Sequence, residues 1–183
     1  MLPLTPRFFG YGSLVNLTTH SYPQPKPMVI QGWARAWRHT PLRPVAYLTA
    51  VQRAGAQIEG VVAHVPNGDW AALDLREAAY LRARLPEGPE IYHIPEGHHG
   101  YPTERHPILL SYLDVVVQGY HRMFGAEGVA RFFATTDGWG GPILDDRAAP
   151  RYPRHRSLTK QERGLVDRFL EDVGAPILRD TSP

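Results

Sequence analysis

The chain has 183 residues, enough for one domain with a sizeable core and too few for two comfortable ones. Its 20 basic and 18 acidic residues leave a net charge of only +2, so no strong field requires a nucleic-acid partner, although Lys26 and Lys160 are the sole lysines and the other basic residues are arginines. Cysteine is absent, which excludes disulfides, thiolate nucleophiles and cysteine-ligated zinc.

The opening MLPLTPRFFG lacks a basic segment followed by an apolar stretch of secretory length, and no run of about 18 apolar residues occurs. A soluble, cytoplasmic protein away from membranes is expected. An abundance of proline (18) and glycine (17) predicts a loop-rich fold.

RFFGYGSLV, residues 7–15, has the apolar content of a β-strand but is interrupted by two glycines and a serine. YPQPKP at 22–27 reads as an extended link to the next strand. MVIQGWARAW (28–37), VAYLTAVQ (45–52), IEGVVAHV (58–65) and YLRARL (80–85) then predict strands separated by turns. Before the last of these, Asn67-Gly68 marks a turn and Asp69 is a good N-cap, predicting a short helix from Trp70. Pro107 suits the first position of a longer helix running to about Phe124, with Leu109, Leu113, Val116 and Tyr120 on one face. GAEGVARFF predicts a shorter helix, TTDGWGGP a break, and DDRAAPRYPRHR an extended basic segment. Thr159 and Glu162 form a capping box for a last helix with Leu165, Val166, Phe169, Leu170 and Val173 inside, stopped by Gly174 and Pro176. Strands first and helices later predict an α+β fold, here a single domain over 1–183 with 145–183 as a basic C-terminal extension and final helix packed on it.

Two constellations could carry chemistry. Gly-Tyr-Gly-Ser in a strand is either a bulge or tight bend, or a place where free N–H groups form an anion-binding concavity. Its spacing fits neither a GxGxxG fingerprint nor a P-loop. Trp70, Leu73 and Glu77 share one helical face, so Glu77 is a carboxylate aimed at apolar neighbours. It is either paired with Arg76, Arg82 or Arg84, or desolvated and raised in pKa as a general base must be. HIPEGHHGYPTERH (93–106) holds four histidines without metal-ligand spacing and reads as a surface loop. DDRAAPRYPRHR could meet phosphates, but its acids and prolines suit a chain packed over the domain with its own ion pairs.

FGYGSL, followed by GWARAW and, about sixty residues after the first motif, by LDLREAAYLRARL, resembles the gamma-glutamylcyclotransferase-like superfamily. The match covers residues 8–85; beyond it, SYLDVVVQGY is similar to a later helix bearing a substrate-side tyrosine, and the basic C-terminal segment resembles a bacterial branch. The resemblance implies a small mixed β-barrel flanked by helices, closed or nearly closed, with no metal or organic cofactor. It implies substrate binding by the loop N–H groups of Tyr11, Gly12, Ser13 and Leu14, catalysis by Glu77, and a binding-site role for Tyr112. The implied reaction cyclises a γ-glutamyl amide to 5-oxoproline and releases the amine. A non-catalytic binding module using the same pocket is the alternative, with Ser13 then only a loop hydroxyl satisfying backbone.

Overall fold

The computed structural model describes residues 5–180. Strand β1 is Arg7–Gly10, with Phe8 and Phe9 fully buried. It ends four residues into the run expected to be a strand, and a one-turn helix at Ser13–Val15 follows. Strands β2 (Lys26–His39) and β3 (Ala46–His64) form a long antiparallel hairpin that also takes in Lys26 and Pro27 from the expected link. The two strands predicted at 45–52 and 58–65 are one: the register passes from Gln31↔Gln57 to Trp33↔Gln52, so Arg53 to Ala56 bulge opposite Gly32. A bulge lets the polar, small-residue stretch stay outside while the ladder continues on both sides.

Helix α1 is Ala71–Arg76. Its N-cap is Trp70 rather than the expected Asp69, whose Oδ1 nevertheless accepts the Ala71 N–H at 2.9 Å from one residue further out. Strand β4 (Leu81–Arg84) pairs antiparallel with β5 (Glu90–His93), which reaches into the start of the expected histidine-rich loop. Pro107 does not open the long helix. Its carbonyl accepts the Ala46 N–H at 2.8 Å, and Ile108–Leu109 form a short strand β6 before helix α2, Leu110–Ala134. Gly125, at φ 71°, breaks α2 where two separate helices were expected; only glycine adopts that backbone without strain. Strands β7 (Thr136–Asp137) and β8 (Ile143–Asp145) precede helix α3, Lys160–Asp172. The capping box is present, with Thr159 Oγ1 accepting from Glu162 N at 3.1 Å and the Glu162 carboxylate accepting from Thr159 N at 2.9 Å. An unexpected last strand, β9 (Ile177–Arg179), follows.

The main sheet has the order β4-β5-β1-β3-β2-β7, with β1 antiparallel to β3 and parallel to β5. A smaller parallel sheet has the order β6-β8-β9. The main ladder does not close, since β4 and β7 are its edges, but it curls back on itself through side chains. The Ile94 N–H just beyond β5 donates to Thr49 Oγ1 in β3 at 2.8 Å, and the Tyr11 hydroxyl donates to the Tyr92 carbonyl while accepting from Ala50 N at 3.0 Å. The fold is mixed α+β. Its main core lies between this sheet and α2 and α3, where Ile30, Trp37, Leu48, Leu113, Val116 and Val166 meet. No described helix is long and apolar enough to cross a membrane.

Candidate active site

The end of β1 and the end of α1 are brought together by packing. Leu14 and the fully buried Leu73 share an apolar cluster with Phe8, Ala63 and Val65. Glu77 stands immediately past α1, its N–H donating to the Leu73 carbonyl at 2.9 Å, so the anchor of the helix also sets the position of the acid.

The loop's carbonyls are consumed inside the protein. The Tyr11 carbonyl lies 2.7 Å from the Tyr120 hydroxyl, Gly12 O accepts from Val15 N, Ser13 O from Asn16 N, and Leu14 O from His20 Nε2 at 2.8 Å. The N–H groups of Gly12, Ser13 and Leu14 donate to no backbone carbonyl among the described residues, and that of Ser13 faces the Tyr112 hydroxyl. Gly12 and Leu14 thus keep N–H groups with no backbone partner on either side of the Ser13 N–H, which is turned to Tyr112. Behind it, Arg35 is almost completely buried and donates from Nη1 to Tyr120 Oη at 3.0 Å, from Nε to Thr136 Oγ1 and from Nη2 to Thr135 Oγ1. The arginine of GWARAW thus holds the tyrosine that holds the loop.

Two neighbouring spaces that share lining residues open on these groups. An inner pocket of about 20 Å³ is lined by the loop from Gly10 to Leu14 together with Leu48, Tyr92 and Glu77. An outer cavity of about 270 Å³ is walled by Arg43, Tyr47, Leu109, Tyr152 and Arg154. Ser13, Glu77, Tyr80 and Tyr112 border both. The structure therefore brings together all six residues singled out in the sequence, with different contributions: the Tyr11 side chain is a strut across the curled sheet, and Leu14 faces the core.

Glu77 retains 15% of its side-chain exposure, and Arg76 Nε lies 3.3 Å from its Oε1. Burial raises its pKa above the ordinary 4.5, against the opposing pull of Arg76 and Arg154. Of the three pairing arginines considered, only Arg76 touches it; Arg82 binds Asp74 and Glu90 instead. Arg76 is itself held by Ser13 Oγ at 3.1 Å and by the Thr19 carbonyl at 3.1 Å. The Ser13 hydroxyl therefore serves a neighbouring side chain. Burial also raises the phenols of Tyr11, Tyr80 and Tyr112, which stay neutral and offer hydroxyls without charge.

Two further tyrosines that were not expected at the site border it: Tyr80, whose hydroxyl donates to the Leu48 carbonyl at 2.9 Å, and Tyr152, whose ring meets Tyr112 edge-on at 4.9 Å. Tyr152 belongs to the basic C-terminal segment. The arginines of 145–156 do form ion pairs, Arg147 to Asp114 and Asp167 and Arg151 to Asp180, but with acids outside that stretch, whereas its own Asp145 and Asp146 accept from backbone N–H groups and Ser111. Among the described residues no group of three or more histidines and acids is arranged to hold a metal.

No protein-family model and no curated protein matches the sequence. Solved structures do. The chain is similar to YkqA from Bacillus subtilis (15% identity, TM-score 0.57), over 74% of this chain and 57% of YkqA, and so spans little more than half of that protein. It is similar to a gamma-glutamyl cyclotransferase (12% identity, TM-score 0.52) and to an uncharacterized protein from Homo sapiens, loc79017 (14% identity, TM-score 0.51), in each case over 90% of this chain and 99% of the other. A structural match over 90% of the chain shows that it shares the fold of these solved structures, one of them a gamma-glutamyl cyclotransferase.

Proposed function

We propose that the protein is a gamma-glutamylcyclotransferase, a cofactor-independent lyase-type enzyme that converts a γ-glutamyl amide to 5-oxoproline and a free amine. The observation that carries this reading is the convergence of a pKa-raised carboxyl, Glu77, with the loop from Gly12 to Leu14 and the Tyr112 hydroxyl on one pocket. A γ-glutamyl amide contains both nucleophile and electrophile, so the protein needs only to fold it and move a proton. The α-amine nitrogen attacks the γ-carbonyl carbon, a new C–N bond closes the five-membered ring, and the original amide C–N bond breaks. Glu77 takes the proton lost by the attacking nitrogen and gives it to the leaving nitrogen. Loop N–H groups and Tyr112 stabilise the oxyanion between these events.

The same reading assigns residues 145–180 to the site-bearing domain rather than to an appendage, since Tyr152 and Arg154 wall the outer cavity. It also keeps the cytoplasmic setting expected from the sequence. A second reading, a binding pocket without turnover, is favoured by the Arg76 contact, which stabilises Glu77 as a fixed anion for a ligand ammonium. The deciding experiment measures 5-oxoproline released from glutathione, γ-glutamyl amino acids and γ-glutamyl amines at high enzyme concentration. Release from at least one of them is expected; release from none supports the binding pocket.

A further inference from the structure

Arg76, the last residue of α1, is a buried cation that takes no part in the proton transfer itself. Its side chain keeps only 6% of its exposure. Hydrogen bonds tie its far end to the chain between β1 and β2: Nη1 donates to the Thr19 carbonyl at 3.1 Å, and Nη2 donates to Ser13 Oγ at 3.1 Å and to Thr19 Oγ1 at 3.0 Å. Thr19 Oγ1 in turn donates to the Asn16 carbonyl at 2.9 Å, and the Asn16 amide is fixed to α2 through the Val115 carbonyl and Gln118 Oε1, both at 2.9 Å. The guanidinium is thus held from the loop side by a frame that runs back to α2. Its Nε is the part left over: buried, without a hydrogen-bond partner among the described residues, and 3.3 Å from Glu77 Oε1. A planar guanidinium fixed at its two terminal nitrogens presents Nε in one direction only.

We infer that Arg76 is a positioning residue for Glu77: pinned by Ser13 and Thr19, it fixes the carboxylate beside the pocket and keeps it ready to accept a proton, and the Ser13 hydroxyl acts on turnover only through Arg76. The inference rests on the cyclotransferase reading above. Burial works against the anion that a general base must supply, and a guanidinium 3.3 Å away restores part of it. Arg154, from the segment after β8, is the other charged group that acts on Glu77. The remaining titratable groups around it are phenols, those of Tyr11, Tyr22, Tyr80, Tyr92 and Tyr112, which burial raises and so keeps neutral. The balance at Glu77 is therefore left to the two arginines, and only Arg76 forms an ion pair with it among the described residues. Because the loop that borders the pocket also holds Arg76, a change at Ser13 reaches the acid through the guanidinium.

The test reads the protonation of Glu77 with and without substrate. Carbon-13 NMR of protein labelled at the glutamate side-chain carboxyls follows the titration of Glu77 directly, its signal assigned by its loss in Glu77→Gln. Arg76→Gln removes the charge, so the midpoint is expected at higher pH than in wild type, and Arg76→Lys, which keeps the charge, should return it toward the wild-type position. Ser13→Ala loses one anchor of the guanidinium and retains Thr19. It should move the midpoint the same way by less, and should move it no further once Arg76→Gln is present. With a γ-glutamyl substrate that is turned over, the acid limb of kcat/KM should follow the same order, and the plateau kcat of Arg76→Gln should fall about tenfold. An unmoved midpoint in Arg76→Gln, or a Ser13→Ala effect undiminished in that background, overturns the inference. If Arg76→Gln does not fold, Ser13→Ala carries the test, and an unmoved midpoint there overturns it. Midpoints that shift as described while no compound yields 5-oxoproline leave the hold of Arg76 on Glu77 standing and remove the cyclotransferase reading alone.

Discussion

The Tyr112 hydroxyl oxygen lies 2.7 Å from the point at which a β-carbon on Gly12 would begin. This distance is below van der Waals contact, so the loop approaches α2 as closely as it does only because residue 12 has no side chain. Gly12→Ala is therefore expected to destabilise the protein by about 1–3 kcal/mol and to disturb the pocket. Tyr112→Phe removes the clashing oxygen and leaves the ring carbon 3.9 Å away. The double variant should recover most of the melting temperature lost by Gly12→Ala alone; simple additivity of the two changes, read by thermal denaturation, would refute the contact.

Glu77→Gln should lower 5-oxoproline release by about 10²–10⁴-fold, the usual contribution of a positioned acid–base group. Its effect on stability follows from the raised pKa. The neutral carboxyl fits the folded protein better than the anion does, so the favourable contribution is complete below the ordinary value of 4.5 and disappears as pH rises through the folded value. Relative to wild type, Glu77→Gln should gain stability as pH rises from 4.5 to neutrality. Parallel melting curves over that range would show instead that Arg76 compensates the buried charge in full.

Arg35 and Tyr120 are expected to control turnover without touching substrate. Arg35→Lys loses hydrogen bonds that a single ammonium cannot replace, at a cost of about 3–5 kcal/mol. Tyr120→Phe removes only the hydroxyl beside the Tyr11 carbonyl and should cost about 1–2 kcal/mol. If that hydroxyl sets the loop, Tyr120→Phe lowers kcat while KM changes little. A variant with unaltered kcat would limit Tyr120 to packing.

Thr159→Ala deletes one half of the capping box and should lower stability by about 0.5–2 kcal/mol. The Glu162 side chain also accepts from Gln118 Nε2 at 3.0 Å and binds Arg122, so the helix start is coupled to α2. Denaturant unfolding of Thr159→Ala, Gln118→Ala and the pair should reveal a coupling energy beyond the sum of the two.

Much of the site could be read from local pattern. A short helix just before Glu77 was legible from the turn at Asn67-Gly68 and from Asp69, although Trp70 and Glu77 flank that helix rather than lying on its face, and the glycines around Tyr11 marked the end of β1. What escaped depends on partners far away in the chain. Pro107 has the chemistry of a helix start, yet the pairing of Ile108 with Ile143 draws the chain into a strand first. The stretch around Gly55 looks like a turn because its residues are small or charged, but such residues are equally at home in an exposed bulge. Ile177–Arg179 is too short to announce itself and exists as a strand because β8 offers it a free edge. Arg154 and Arg147 stand in the same basic run, and nothing in that run tells which of them meets a carboxylate; the positions of Asp114 on α2 and Asp167 on α3 make the distinction.

The outer cavity is assembled from both ends of the chain, and translation runs in one direction. The loop after β1 and the glutamate after α1 emerge early, whereas Tyr152, Arg154 and the strand that covers β8 emerge among the last residues described. Earlier parts of a chain begin to fold while later ones are still being made. A nascent chain that has been made only as far as α2 would thus hold the loop and the glutamate without the Tyr152 and Arg154 side of the outer cavity, which the later segment supplies.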